Sequence, residues 1–293
     1  MSDESWTAAL RRPAQGAALG RLVVLAHSGA GPNALLPMLR HLPDAYELVG
    51  VTLPGRERRL WEGVSDTPPE SAAVVNAVLR ELRRLPRLPT VHFGHSMGAA
   101  LAAALALAAP ELCKGVVLSA HPGSPRTEWA TDWPERDLLD IIWRGGGTPV
   151  EILQEPLLRE HVFTVLRHDL TLGQRLAEDN VGRKIPVPIC VLAGEEDELV
   201  DVDQLTRWQT QAAAGYRQRL FPGGHFFLLD DENASAVAAE IAAVLRQQNG
   251  EAPSVSEACP LGLGSTETEA VRIRTAASDN TRSGGAPNRG DVV

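Results

Sequence analysis

The sequence Pro89-Thr90-Val91-His92-Phe93-Gly94-His95-Ser96-Met97-Gly98 continues without a linker into an alanine- and leucine-rich run at residues 99–109. A β-prone segment, a glycine-flanked turn and a helix-favouring run therefore follow one another directly. Gly-x-Ser-x-Gly in this context is typical of a nucleophile elbow, in which a strained turn exposes the serine hydroxyl above a sheet. A Cβ at Gly94 or Gly98 would collide with the neighbouring strand or helix. We predict that Ser96 is a catalytic nucleophile.

Composition limits the kind of protein this can be. The chain has 293 residues, of which 44% are hydrophobic and 22% charged, which suits one large soluble α/β domain. A formal charge of -9 disfavours a nucleic-acid partner. There is no N-terminal apolar segment or long apolar span, so we expect a cytoplasmic protein without a membrane partner. Cys113, Cys190 and Cys259 are too few and too scattered for a disulfide framework or zinc site, and we expect no metal or cofactor.

Apolar runs alternate with helical patterns along most of the chain. Strands are predicted at residues 21–26, 46–53, 89–95, 115–119, 185–193 and 217–221, and helices at residues 33–42, 71–85, 99–109, 202–214 and 234–247. Residues 1–20 would form a loose arm or an edge strand. This alternation predicts an α/β fold, with a mostly parallel sheet covered by helices on both faces.

Two segments depart from the alternation. Residues 121–184 suggest amphipathic helices at about 136–143 and 150–166, joined by Gly145-Gly146-Gly147. We predict that this insertion is a mobile helical lid over the carboxyl edge of the sheet, and that its apolar residues, including Trp143, form an acyl pocket. Residues 250–293 are polar and poor in large apolar side chains, which predicts a disordered tail after a catalytic domain at residues 1–249.

A serine nucleophile needs a base and an orienting acid, in the chain order Ser, Asp or Glu, His. His225 lies in the loop after the last predicted strand, and Asp197 lies in the loop after the strand before it. Glu195, Glu196 and Glu198 compete with Asp197 for the role of the acid. We predict Ser96, Asp197 and His225 as the triad, since Asp197 has the expected order and spacing.

The oxyanion hole of this arrangement uses two backbone N–H groups. We assign one to Met97 and one to Ser28, in the loop after the first predicted core strand, with Gly29 as the next choice. The same loop contains Gly29-Ala30-Gly31-Pro32-Asn33-Ala34, which partly matches a dinucleotide fingerprint. The acid expected after the next strand is absent, because the chain there has Thr52-Leu53-Pro54. The serine triad is the better interpretation.

Taken together, these motifs resemble those of the type II thioesterases, the discrete α/β-hydrolases that accompany polyketide synthases and nonribosomal peptide synthetases. The resemblance covers about residues 18–247. It is carried by His27-Ser28-Gly29-Ala30-Gly31, Leu53-Pro54-Gly55-Arg56-Glu57-Arg58, Gly94-His95-Ser96-Met97-Gly98, Gly146-Gly147-Thr148-Pro149 and Phe221-Pro222-Gly223-Gly224-His225-Phe226. Ser28 replaces the alanine usual in the family, at a position where only a backbone donor is required.

The resemblance implies an α/β-hydrolase fold and hydrolysis of acyl thioesters on the phosphopantetheine arm of acyl or peptidyl carrier proteins, which clears stalled chains. The expected protein is a monomer without a cofactor. Two alternatives share this sequence pattern: a serine ester hydrolase or acyltransferase, and a catalytically silent protein that binds carrier proteins.

Overall fold

The computed structural model of the chain describes residues 5–65, 67–126 and 132–248. All of them fall within one compact unit, Met1–Ser254. In this described part of the chain, seven strands form a single sheet: β1 (Thr7–Arg11), β2 (Gly20–Leu25), β3 (Tyr46–Val51), β4 (Thr90–His95), β5 (Gly115–Ser119), β6 (Ile189–Gly194) and β7 (Tyr216–Phe221).

The strand order β1-β3-β2-β4-β5-β6-β7 places β4 at the centre of the sheet. Every neighbouring pair is parallel except β1 and β3, so β1 is an antiparallel edge strand. Leu25 at the end of β2 pairs with Gly94 near the end of β4. Because these ends are level, the loops that follow β2 and β4 lie side by side at the carboxyl edge.

Within the described residues, eight α-helices accompany the sheet: α1 (Leu36–Leu39), α2 (Ser71–Leu82), α3 (Met97–Ala108), α4 (Glu135–Gly145), α5 (Val150–Gln154), α6 (Pro156–Asn180), α7 (Thr206–Gln211) and α8 (Asp231–Gln248). Side chains of β2 alternate between two buried clusters. Val23 and Leu25 pack with α2 and α3 on one face, whereas Leu22 and Val24 pack with α1 and α8 on the other. Strands β2 to β6 are therefore buried on both sides, which explains their mostly apolar sequences.

The predicted α/β-hydrolase fold is confirmed, and two of the differences from the predicted elements involve proline. The helix expected at residues 33–42 is a 3₁₀ turn, Pro32–Leu35, followed by α1, because Pro37 cannot donate a helical N–H bond. The helix expected at residues 150–166 is interrupted at Glu155, which has extended backbone (φ -86°, ψ 114°). Pro156 disfavours helical geometry at Glu155, the residue before it. A new helix, α6, therefore begins at Pro156.

The second half of α6 belongs to the main core. Leu172 and Leu176 pack with α2 and α3, and the side-chain amide of Asn180 donates a hydrogen bond to the carbonyl of Ala100 (2.8 Å). A separate apolar cluster joins α4 to the first half of α6 through Leu138, Ile142, Phe163 and Leu166, among others. We use the name lid helices for α4, α5 and this first half of α6, a shorter stretch than the sequence predicts.

Cys190 is buried in β6, and burial raises the pKa of its thiol to about 12. A membrane-crossing helix would need a long apolar stretch, and no helix among the described residues has one. The tail predicted at residues 250–293 lies outside the described residues.

Candidate active site

Ser96 occupies the turn between β4 and α3 with a backbone that few residues adopt (φ 55°, ψ -122°). The glycines on either side make this turn possible. A Cβ at Gly94 would lie 2.0 Å from the carbonyl oxygen of Gly98, and a Cβ at Gly98 would lie 2.2 Å from that of Leu25. Since real Cβ atoms do not approach backbone so closely, side chains are excluded at both positions. The turn has the geometry of a nucleophile elbow.

The structure brings together the three residues predicted as the triad. His225 Nε2 lies 3.0 Å from Ser96 Oγ, and His225 Nδ1 lies 2.8 Å from Asp197 Oδ2. Asp197 follows β6, and His225 follows β7. Both distances fall in the range required of a nucleophile, its base and the acid that orients the base.

Burial and hydrogen bonding distinguish Asp197 from the neighbouring acids. Its side chain is 0% exposed, and its Oδ1 accepts the N–H groups of Leu199 (2.8 Å) and Val200 (3.1 Å). Its Oδ2 therefore points to His225. Glu195, Glu196 and Glu198 are exposed.

The two candidate oxyanion donors border Ser96 from different elements, a helix and a loop. Met97 is the first residue of α3, where an N–H group has no partner within the helix. Ser28 lies in the loop after β2, and Ser28, Met97 and Ser96 line one small cavity of about 40 Å³. Gly29, the second choice, instead donates its N–H to Asp169 Oδ2 (2.7 Å). The contact at Gly29 favours Ser28 as the donor from this loop.

Two further histidines surround His225 without joining the triad. Burial, followed by the proximity of His225 and Arg56, lowers the pKa of His27 to about 3. Burial, followed by the proximity of His225 and His27, also holds the pKa of His95 well below its usual value. Both rings are therefore neutral near pH 7. They fill space beside His225 without adding positive charge, which would oppose protonation of the base.

A cavity of about 370 Å³ opens beside Ser96 and His225. It lies between the loops at the carboxyl edge and the lid helices. Its apolar lining includes Leu60, Ile141, Ile142, Ile152, Val162, Val165, Leu166, Leu170, Leu199 and Phe226. A largely apolar lining next to a nucleophile suits the acyl part of a substrate.

The predicted contribution of Trp143 to this cavity is wrong. Trp143 is 61% exposed and does not line the cavity, because the opposite face of α4, with Ile141 and Ile142, points inward. Leu157 in α6 is likewise 82% exposed, whereas Val162 one turn later lines the cavity. Helical periodicity places these residues on an amphipathic helix but does not show which neighbour each face meets.

Phe226 and Asp169 are two site residues that the sequence analysis missed. The Phe226 ring packs at a centroid distance of 4.7 Å from His27 and 5.2 Å from His225. The ring also packs closely against the loop after α4, since a Cβ at Gly147 would lie 2.5 Å from it. Phe226 could have been found from its position next to His225. Asp169 carries no such signal, because within an amphipathic helix it looks like a surface acid.

The competing dinucleotide motif is already occupied by protein. A Cβ at Gly31 would lie 2.2 Å from the Glu57 side chain, and Glu57 Oε1 accepts the N–H of Asn33 (2.9 Å). A carboxylate therefore lies where this motif would place a phosphate. The arrangement disfavours nucleotide binding here.

Comparison with known proteins agrees with this geometry. A model of the thioesterase domain family matches residues 20–245. A probable cadicidin biosynthesis thioesterase of Streptomyces griseus is 30% identical over 251 residues, which cover 83% of this chain and 68% of that protein. The thioesterase PikA5 of Streptomyces venezuelae is 28% identical over 216 residues, covering 72% of this chain and 76% of that protein.

Solved structures of thioesterases are also similar to this chain. The type II thioesterase BorB from the borrelidin biosynthetic cluster superposes with a TM-score of 0.69 at 25% identity, covering 82% of this chain and 98% of that one. RedJ, solved with a polyethylene glycol molecule in its active site, superposes with a TM-score of 0.66 at 26% identity, covering 81% of this chain and 96% of RedJ.

Proposed function

The chain belongs to the thioesterase family, and we propose that it hydrolyses acyl thioesters on the phosphopantetheine arms of carrier proteins, with Ser96, His225 and Asp197 as its catalytic triad. The observation that carries this proposal is the hydrogen-bonded chain from Ser96 Oγ through His225 to the buried Asp197. Carrier-protein partners are inferred from relatives that serve antibiotic biosynthesis. The expected role is removal of stalled acyl chains during polyketide or nonribosomal peptide synthesis.

Acylation begins at Ser96. Its Oγ attacks the thioester carbonyl while His225 Nε2 takes the hydroxyl proton, and Asp197 holds the imidazole in the tautomer with Nδ1–H. The N–H groups of Ser28 and Met97 would stabilise the tetrahedral oxyanion, and each such donor contributes about 100- to 1000-fold in rate. The intermediate collapses by cleavage of the C–S bond. His225 then gives its proton to the departing thiolate of the carrier arm.

Deacylation repeats these steps with water as the nucleophile. His225 removes a proton from water as the oxygen attacks the acyl-serine carbonyl, and it returns a proton to Ser96 Oγ as the ester bond breaks. The carboxylic acid leaves through the cavity. Neutral His27 and His95 beside His225 keep the charge of the transient imidazolium paired with Asp197 alone.

The decisive experiment compares one acyl group on three leaving groups: a phosphopantetheinylated carrier protein, coenzyme A and a simple alcohol. We expect the highest kcat/KM for the carrier-bound thioester. Ser96→Ala should abolish hydrolysis of all three while the protein stays folded, since its hydroxyl lies at a turn and contributes little packing. Preference for the ester would instead support a general esterase. Absence of both hydrolysis and fluorophosphonate labelling in the wild type would support a silent carrier-protein binder.

A further inference from the structure

A buried carboxylate in α6 joins the loops that follow β2 and β3. Asp169 Oδ2 accepts the N–H of Gly29 in the loop after β2 (2.7 Å). Asp169 Oδ1 accepts a hydrogen bond from Arg56 Nη2 (2.8 Å), and Arg56 Nη1 donates to Asp169 Oδ2, so the two side chains form a forked ion pair. Arg56 belongs to the loop after β3. One carboxylate therefore links three segments that are far apart in sequence.

This ion pair is almost completely closed to solvent. The side chains of Arg56 and Asp169 are 6% and 3% exposed. Arg56 Nη2 also donates to the carbonyl of Pro54 (3.1 Å), within its own loop. Buried charges are costly unless they are paired and hydrogen-bonded, and the two groups here meet that condition through each other and the loop backbones. The loops cannot shift relative to α6 without exposing or unpairing a charge.

The loop after β2 is held at the residue next to the candidate oxyanion donor. Asp169 occupies the N–H of Gly29, which directs the adjoining peptide group and leaves Ser28 to face Ser96 across their shared cavity. Oxyanion stabilisation depends on donors that are fixed before the reaction, since an error of a few tenths of an ångström weakens a hydrogen bond.

We propose that Asp169, clamped by Arg56, is the positioning residue of the oxyanion hole. It touches neither substrate nor Ser96, and it acts by fixing the Ser28–Gly29 peptide group, which adjoins the peptide group that presents the Ser28 N–H. This inference rests on the proposed hydrolysis at Ser96. If the ion pair is purely structural, breaking it should lower only the stability of the fold. If Asp169 is a positioning residue, breaking the pair should also cause a selective loss of transition-state stabilisation.

Asp169→Asn tests the inference because asparagine has nearly the same shape. With a single carbonyl oxygen, it cannot accept from Gly29 and also pair with both arms of Arg56. The matched control is Glu47→Gln. Glu47 in β3 accepts a bond from Arg21 Nε (2.6 Å) in another largely buried pair, with side-chain exposures of 17% and 5%, near the amino ends of the strands. Both substitutions should lower the melting temperature, since each breaks a buried pair.

The readouts are kcat and KM on an N-acetylcysteamine acyl thioester, and the affinity for an aliphatic trifluoromethyl ketone, which forms a tetrahedral oxyanion on serine. We expect Asp169→Asn to lower kcat and ketone affinity together by about tenfold or more with KM nearly unchanged, because the donor is displaced rather than removed. Glu47→Gln should keep both values. Arg56→Lys, which retains the charge but not the fork, should give a smaller loss of the same kind.

The inference is overturned if Asp169→Asn keeps wild-type kcat and ketone affinity, or if Glu47→Gln loses them equally. If Asp169→Asn does not fold, Arg56→Lys against Glu47→Gln decides by the same criteria. An inactive wild type would contradict the proposed function instead, so the two failures are distinguishable.

Discussion

At the scale of single residues, the site depends on backbone geometry as much as on side-chain chemistry. Ser96 has a positive φ that the glycines at positions 94 and 98 permit. That strain turns Oγ toward His225 and frees the N–H of Met97 at the start of α3. In the proposed mechanism, hydroxyl exposure and one oxyanion donor come from the same turn, which is why a short motif predicts both.

Asp197→Asn should lower kcat by about 10⁴-fold, because an amide cannot hold the imidazole in its productive tautomer. Glu196→Gln is the matched control, since Glu196 is an exposed acid one residue away. It should retain nearly full activity. Steady-state kinetics on one acyl thioester checks both variants. Equal losses at the two positions would reopen the choice of the acid.

At the scale of elements, the central sheet and the lid helices differ in how well the sequence describes them. Strands β2 to β6 are largely buried on both faces, so mostly apolar runs identify them, and β5 matches its predicted bounds at residues 115–119. The lid helices are amphipathic, and their periodicity fixes a face but not its partner. Trp143 was wrongly placed in the cavity for this reason.

Val162→Phe should narrow the cavity and reduce activity selectively on long acyl chains. Each methylene contributes about 0.8 kcal/mol when buried, so exclusion of two methylenes should lower kcat/KM by about 15-fold. An acetyl thioester should be hydrolysed at the wild-type rate. Leu157→Phe on the same helix is the control, because Leu157 is 82% exposed and outside the cavity.

A panel of acyl lengths measures this preference. Trp143→Ala, tested with the same acyl chains, should leave the preference unchanged. A common factor for all lengths in Val162→Phe would mean that the lid helices support the fold without selecting the acyl chain.

At the scale of the whole molecule, buried histidines link the stability of the fold to pH. Burial lowers the pKa of His92, which is 0% exposed in β4, to about 4. The pKa of His27 is lowered further, to about 3. In the unfolded chain a histidine titrates near its ordinary value of about 6.5. Between these values the unfolded state binds protons that the native state does not.

The free energy of unfolding should therefore fall as the pH is lowered from about 6.5 toward 4. Each such histidine contributes up to about 1.4 kcal/mol per pH unit. His92→Leu removes one of these groups and should make the decline less steep by about that amount. Urea unfolding at several pH values measures the slope. An unchanged slope in His92→Leu would show that His92 does not take part.

The boundary after α8 gives a second prediction at this scale. The composition of residues 250–293 predicts no contribution to a core, and α8 ends at Gln248. A protein truncated after Gln248 should keep the melting temperature and activity of the full chain, measured side by side. A drop of several degrees would show that the tail stabilises the domain.

The order of the core elements, the elbow at Ser96 and the candidates for the triad follow from the sequence alone. These features are local, because continuous apolar runs, glycine spacing and the position of an acid or histidine after a strand are all visible along the chain. The sequence also favoured Asp197 over its neighbours, although only by spacing. Its complete burial and its contacts with Leu199, Val200 and His225 came from the structure.

Which helix faces line the cavity depends on the packing between elements, and so does the presence of Asp169 and Phe226 at the candidate site. Asp169 meets Gly29 across 140 positions of the chain and Arg56 across 113. Helical periodicity cannot distinguish such a buried acid from a solvated one, because the difference lies in the partner and not in the pattern. The pairing arises when α6 packs over the loops at the carboxyl edge of the sheet and excludes water from both charges.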